Sequence, residues 1–462
     1  MDNKLITSIM VIIAIIIIVG SATVPAIDNL SYTTETEQIA ALKNINGTIE
    51  LDDNISMAVC SGTTIWAVTT DGKLYGVGNN SSGQQGDGTT TNVTTFTQRL
   101  ETETIASVAC SVYTTWAVTT DGKLFGCGRN YNGQQGDGTT TDVTTFTQRL
   151  ATETIASVAC SSTSTWAVTT DGKLYGCGSG MQGQQGNGSS GADAQVSTFT
   201  QRLDTETIAS VVSTDNTTWV LTTDGKLYGC GGNTYAQQGD GTTTKVTTFT
   251  QRLGTETIAS IACSGNTTWA LTTDGKLYGC GYNMQGQQGD GTSTDVSTFT
   301  QRLDTETIAS VACSGSSTWA VTTDGKLYGC GKNNNGQQGD GTTTNVKTFT
   351  QRLDTETIAS VACSDGTTWA VTTDGKLYGC GKNNNGQQGD GTTTNVTTIT
   401  QRLNTETVVG VACSDEQTMV LAEETRTIVV DTPYKFMLSV VPVIIIATVV
   451  VTMAAIIFRN RE

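Results

Sequence analysis

The sequence predicts an all-β fold, a β-propeller built from four-stranded repeats about 50 residues long. Three observations predict it. Trp66, Trp116, Trp166, Trp219, Trp269, Trp319 and Trp369 recur every 50 residues, apart from one step of 53, so the 462-residue chain is an array rather than a set of unrelated domains. Each unit holds four strand-length runs, seen in the second as "TIASVACS", "TTWAVTT", "KLFGCG" and "TTFTQRL", set between glycine turns in a chain with 52 Gly and only 3 Pro. The ends of the array complement each other. "GTIEL" at Gly47 to Leu51 reads as an orphan fourth strand, "VVGVACSDEQTMVLAE" repeats the first two strands with Met419 in place of Trp, and "TRTIVV" at Thr425 to Val430 reads as a third. The array over 47–430 therefore holds seven full repeats. An eighth unit is closed by both chain ends, or decorates a seven-membered ring. A solenoid of the same units is the alternative, but radial repetition better explains the matching ends.

Taken in order, residues 1–27 contain an apolar run from Ile9 to Val19 followed by the small-residue stretch "GSATVPA", the pattern of a secretory signal peptide or an N-terminal membrane anchor. Residues 28–46 read as a linker, 47–430 as the propeller and 431–435 as a second linker. Residues 436–458 are 23 uncharged residues, about 35 Å as a helix, enough to cross a hydrocarbon core of about 30 Å. Arg459 and Arg461 follow in the tail 459–462, and the positive-inside tendency places that tail in the cytoplasm and the propeller outside. The expected location is the cell membrane, single-pass, with the repeats extracellular. Glycosylation sequons such as those at Asn216 and Asn266 fit export, but a chain so rich in Thr and Ser produces many by chance.

Within a repeat, the second and third strands are joined by Asp-Gly, as at Asp121-Gly122, which predicts a two-residue type I′ hairpin. Trp and Val stand at i and i+2 in "TTWAVTT" and share one face, which predicts packing between blades rather than sugar stacking. Most of the 13 cysteines occupy matching places on the first and third strands. Those strands flank the second at about 9 to 10 Å, whereas a disulfide needs Cβ atoms about 3.8 Å apart, so the thiols are expected as small buried packing groups. With no His and no Cys-x-x-Cys, zinc is not expected. A net charge of −17 with 25 basic residues disfavours a nucleic-acid partner.

The succession "VACSDGTTWAVTTDGKLYGCGKNNNGQQGDG" resembles the repeat of the regulator of chromosome condensation family, with "GQQGDG" as its most specific part. The resemblance implies a propeller, usually seven-bladed in that family, and a protein-binding platform. Thr stands where the family has His, as at Thr115 and Thr218, and Cys where it has Trp before Gly, as at Cys127. No residues identify a nucleotide-exchange surface, so the founding member's exchange activity and chromatin binding are not implied.

Carboxylates recur in every unit at turn positions instead of forming one asymmetric cluster, so the chain is not expected to be an enzyme or to hold a cofactor. Asp137, Asp240, Asp290, Asp340 and Asp390 are the carboxylates to weigh for calcium, although acidic ligands are sparse there. The copies are close enough that Thr322 to Val346 is identical to Thr372 to Val396, and the remaining differences concentrate in the loop between first and second strands and the loop after the third. These loops emerge at the same end of an up-and-down blade. The varied face carries Tyr113, Arg129, Tyr131, Met181, Tyr235, Tyr282, Met284, Lys332 and Lys382, including Tyr and Arg, which are frequent in binding hot spots. The expected function is a membrane-tethered extracellular platform that binds or adheres to a protein or glycan through those loops. The alternatives are a structural cell-envelope or virion surface component and, third, a polysaccharide-acting enzyme, for which no unit offers a carboxylate pair.

Overall fold

The computed structural model describes residues 33–44, 50–51 and 54–430. The expected signal or anchor at 1–27, the linker at 431–435, the span at 436–458 and the tail at 459–462 lie outside the described residues. Among the described residues no helix is long and apolar enough to cross a membrane.

Each repeat folds as one four-stranded antiparallel blade whose strands keep their chain order. In the second blade these strands are Ile105–Cys110, Thr114–Thr119, Leu124–Gly128 and Val143–Arg149. The same pattern runs seven times, giving an all-β propeller of seven repeat blades. An eighth four-stranded sheet joins Thr407–Cys413, Thr418–Val430, Thr33–Asn44 and Glu50–Leu51 in that order. It sits between the last blade and the first. Val408, Val420 and Ala422 pack with Trp369, Val371 and Leu377 of the seventh blade, while Met419 and Leu421 pack with Ile55, Ile65 and Ala67 of the first. Gln38–Thr425 form the compact propeller unit, and the outer ends of the two closing strands, 33–37 and 426–430, belong to a second unit.

The closing sheet corrects two expectations. The third strand is not "TRTIVV", which instead continues the second strand to Val430; it is Thr33–Asn44, from the segment expected as a linker. Its pairing with the short fourth strand, Leu42 opposite Leu51, shows that the end of "GTIEL", Glu50–Leu51, supplies the outermost strand. Backbone pairing of this kind leaves no side-chain signature, and "TTETEQIAALKN" has none of the Trp, Gly or Cys landmarks of a repeat.

Packing between blades follows the strand alternation. Every residue of each repeat's second strand is buried. Trp66 and Val68 face Ile105, Val108 and Ala117 of the next blade, and the Trp66 ring meets Phe146 of that blade edge to face at 5.7 Å. The seven tryptophans are fully buried, each a loss of about 3–5 kcal/mol if truncated to Ala. The first strands of neighbouring blades run beside one another, closest to the axis.

The Asp-Gly turn is not type I′. Gly72 N–H donates to Thr69 O and Thr69 N–H to Lys73 O, so the loop has three residues, Thr70 to Gly72. Gly72 alone has positive φ, at 82°, which makes this a type I turn closed by a left-handed glycine. The Thr69 hydroxyl donates to the Asp71 carboxylate and accepts from Lys73 N–H, so side chains fix the extra residue in place.

Two backbone positions yield tests. Gly329 lies under the Trp319 indole, where a Cβ would stand 2.5 Å from Cζ3. Gly329→Ala should cost roughly 1–3 kcal/mol by overpacking, while Gly254→Ala, whose nearest neighbour would be 3.7 Å away, should stay within about 0.5 kcal/mol in denaturant unfolding. Ala236 replaces the glycine found here in the other repeats and is held at φ 59°. Ala236→Gly should therefore stabilise the chain by about 0.5–1 kcal/mol, read by the same unfolding assay.

Candidate functional site

The loops of one face are built on a repeated clamp. In the "GQQG" of the first repeat, Gln84 Nε2 donates to Val112 O in the next blade, and Gln84 Oε1 accepts from Ser82 N–H in its own loop. The Gln84 carbonyl accepts from the Cys127 thiol of the next blade at 3.4 Å. The second glutamine serves its own blade: Gln135 Nε2 donates to Cys127 O and its carbonyl accepts from Arg149 Nε. The final clamp reaches the closing sheet, where Gln387 Nε2 donates to Asp415 O at 2.9 Å. Ser414 Oγ then donates to Gly62 O at 2.8 Å and completes the circuit to the first blade.

A second network holds the outer part of each loop. Asn130 Nδ2 donates to Asp137 Oδ1 at 3.1 Å and to Thr139 O at 3.2 Å, while its Oδ1 accepts from Gln135 N–H. Asp137 Oδ1 also accepts from the Thr139 amide and hydroxyl, and its Oδ2 lies 3.3 Å from Arg149 Nη2. Burial works against the Asp137 carboxylate, but the Thr139, Asn130 and Arg149 interactions outweigh it and hold its pKa below the ordinary value. Asp240, Asp290, Asp340 and Asp390 repeat the arrangement. The carboxylates weighed for calcium are therefore committed to a hydrogen-bonded turn and an arginine. The buried Asn130, Asn233, Asn283, Asn333 and Asn383 are scaffold, not variation, although they stand inside the loop that varies.

Around this scaffold the predicted site residues are placed as follows. Arg129 stacks over the Tyr113 ring at 4.9 Å within the second blade. Tyr235 and Tyr282 come from adjacent blades and meet edge to face at 5.1 Å. Tyr131, Met181 and Met284 project into solvent with 71%, 53% and 62% of their surfaces exposed. Lys332 and Lys382 are half-buried on the sixth and seventh blades. Their amides close the loop by donating to Ser316 O and Gly366 O. Val112, not singled out from the sequence, is exposed beside Tyr113. Among the described residues the exposed large apolar side chains are Val112, Tyr131, Met181, Tyr235 and Met284, and all lie in the varied loops of the second to fifth blades. Chemically the arc offers aromatic and thioether contact surface.

The third blade departs from the rest. Gly180 takes the place of the scaffold asparagine and Asn187 that of the aspartate, and the 53-residue step inserts residues that form a short 3-10 turn at Ala192–Ala194. A Cβ at Gly180 would collide with the Ala194 carbonyl, so the insertion occupies the space that the asparagine side chain vacates. The inserted turn also supports Met181, whose carbonyl accepts from Gly191 N–H at 3.1 Å and Lys245 Nζ at 3.4 Å. The odd spacing was the sequence signal for it.

Family models for the regulator of chromosome condensation (RCC1) repeat match residues 105–134, 208–237, 258–287, 308–337, 358–387 and 374–421. The chain is an RCC1-repeat β-propeller. The fold agrees with solved structures: human WBSCR16 aligns with TM-score 0.61 at 18% identity, covering 76% of this chain and 98% of that one. Prp20p from Saccharomyces cerevisiae, a structure reported together with its binding to Gsp1p and histones, aligns with TM-score 0.60 at 19% identity, covering 77% of this chain and 92% of that one. Yeast RCC1 (Prp20) bound by Kap60 aligns with TM-score 0.59 at 18% identity, over 87% of this chain and 96% of that one. No curated protein matches the chain in sequence. At these identities the likeness concerns the fold alone. Some of the threonines that stand in the family's histidine position join the RCC1 seams: Trp66 Nε1 donates to Thr115 Oγ1, and Trp269 Nε1 donates to Thr318 Oγ1, which in turn donates to Gln287 O at 2.9 Å.

Titration should read these networks from both sides. The loop and turn aspartates have lowered pKa values, so the unfolded chain binds more protons as pH falls below about 4, and their stabilisation, complete above that, is lost through the lower folded values. Burial pushes the Cys160 and Cys380 thiols up to about 12, so the unfolded chain sheds protons first above about pH 8.5 and stability falls there as pH rises. Melting temperature should thus form a plateau near neutrality with both an acid and an alkaline limb. A profile without the alkaline limb would count against buried neutral thiols.

Proposed function

We propose that the chain is a membrane-tethered extracellular platform whose RCC1 propeller binds a protein through the varied loops, chiefly those of the second to fifth blades. The observation that carries this reading is the confinement of the exposed large apolar side chains to one arc of one face. A soluble surface scatters such residues singly, and a cluster rimmed by polar groups marks an interaction site. The arc has the composition of an interface centre, with Tyr and Met enriched. Its charges support a protein partner as well. Among the described residues, lysines of the Asp-Gly face form ion pairs, as Lys123 does with Glu103 and Asp121, whereas Arg129, Lys245, Lys332 and Lys382 on the varied face form none. They put positive charge free of ion pairs on the face of the arc in a chain with net charge −17, suited to a partner with carboxylates around an apolar contact. The uncharged 436–458 segment followed by Arg459 and Arg461 supports the tether and its direction.

The identity of Thr322 to Val346 with Thr372 to Val396 favours the second reading, a passive envelope component, because a structural lattice needs only copies. The sixth and seventh blades supply the test. Tyr131→Asn, Met181→Asn, Met284→Asn and Tyr235→Asn give each arc position the residue that the protein itself places at Asn334 or Asn335. Captured from the protein's native surroundings by the full chain, a partner should bind the wild type saturably and lose at least about tenfold in affinity to the fourfold variant. Unchanged binding by the folded variant would remove the arc as the site, and absence of saturable binding by the wild type would favour the structural reading.

A further inference from the structure

We infer that the varied face points away from the bilayer, so that a protein partner meets it in trans, because the closing strands enter and leave the propeller unit at the opposite, turn face. This rests on the tethered reading above and goes beyond it by fixing which way the platform points.

The direction of the closing strands carries the inference. In the seven repeats the second strand is six residues long and turns back at Asp-Gly. In the closing sheet it starts beside the Ser414–Gln417 loop on the varied face and runs thirteen residues, Thr418–Val430, with no turn back. On the way it passes Glu423, paired with Thr407, at the level where Val408 N–H donates to Gly375 O of an Asp-Gly turn. Within the propeller unit this strand therefore runs to the turn face, which it reaches at Glu423. The other end behaves alike. The fourth strand of the closing sheet, Glu50–Leu51, leads into Ile55, which pairs with Thr69 beside the Asp71-Gly72 turn. The third strand, Thr33–Asn44, is antiparallel to that fourth strand, with Lys43 opposite Glu50, so it enters the propeller from the turn face as well.

The chemistry of the turn face agrees with a standoff position rather than a lipid-binding one. Its lysines are engaged by carboxylates, as Lys326 is by Glu306 and Asp324, and Glu101, Asp204, Asp304 and Asp354 add exposed negative charge. Such a face repels anionic headgroups, and the C-terminal tether alone holds it toward the bilayer. The arc of Tyr131, Met181, Tyr235 and Met284 then faces away. A partner lying in the same membrane would have to reach around the propeller, whereas one arriving from outside meets the arc directly.

The test uses the full chain reconstituted in phosphatidylcholine vesicles whose headgroups carry an energy-transfer acceptor. A donor dye is attached through a non-canonical residue at Asn334 on the varied face or at Asp354 on the turn face, both exposed. Strands of six or seven residues at about 3.3 Å each separate the two faces by roughly 20 Å, so transfer should be at least about twofold stronger from Asp354. Equal transfer, or stronger transfer from Asn334, overturns the orientation while leaving the tether intact. Failure of the chain to float with the vesicles, with no transfer from either position, overturns the tether and this inference with it.

Discussion

The fold depends on a glutamine that belongs to one blade and satisfies the next. Each blade is a small sheet with unpaired edges and too little core to stand alone. What makes the array a single object is the forward reach of Gln84 and its equivalents, with the thiol of the following blade donating back to the same residue's carbonyl. The edge of the bulged fourth strand is used the same way in the second to seventh blades, as where Gly88 N–H donates to Thr144 O of the next blade and Asp87 bridges Thr145. Edges that would otherwise recruit foreign strands are thus occupied within the ring. A net bond of this kind is worth about 1 kcal/mol, but leaving its buried partners unmade costs about 1–3 kcal/mol each, so the seams close together or not at all.

The order of priorities in the loop follows from that clamp. The glycines and glutamines are fixed because backbone and side chain both serve the seam. The asparagine and aspartate are fixed because they tie the loop to its arginine. The positions pointing out of this framework differ most freely, among them Tyr131, Met181, Tyr235 and Met284. Leu100 and its equivalents show the cost accepted for packing: each sits near φ 50° after the fourth strand, unfavourable for leucine, yet Leu100 packs against the Trp66 core.

Much of this was legible in the sequence where side chains repeat. The tryptophan period gave the blades, and the i, i+2 spacing of Trp and Val gave the inter-blade face. Legibility failed where the information lies in the backbone or in compensation between distant residues. Thr33–Asn44 pairs through main-chain groups and resembles no repeat, so it read as a linker. The Asp-Gly turn read as type I′ because the dipeptide is the usual sign of it, while Thr69, which makes the three-residue loop favourable, stands two residues earlier. Asn130 read as part of a variable stretch because its neighbours vary, although Asp137 and Thr139 hold it. Gly180 is understood only together with Ala194, fourteen residues later, and no local pattern links them. For the binding arc, sequence identified the face and most of its residues; exposure separated Tyr131 and Met284 from the half-buried Lys332 and Lys382.

The uniform seam has a further consequence for how such a chain can change over time. Because every repeat presents the same reaching glutamine ahead, and all but the first, which has Val77, carry the receiving thiol behind, a duplicated unit arrives with both joints already correct. New loop sequences can then be tried on a finished chassis without solving the packing again. The third blade has given up that interchangeability: its glycine and its insertion must be copied together, or neither fits. And since the last sheet is assembled from both ends of the chain, adding or losing a unit alters the circumference without altering the lock, which confines this kind of growth to numbers that a closed circle can accept.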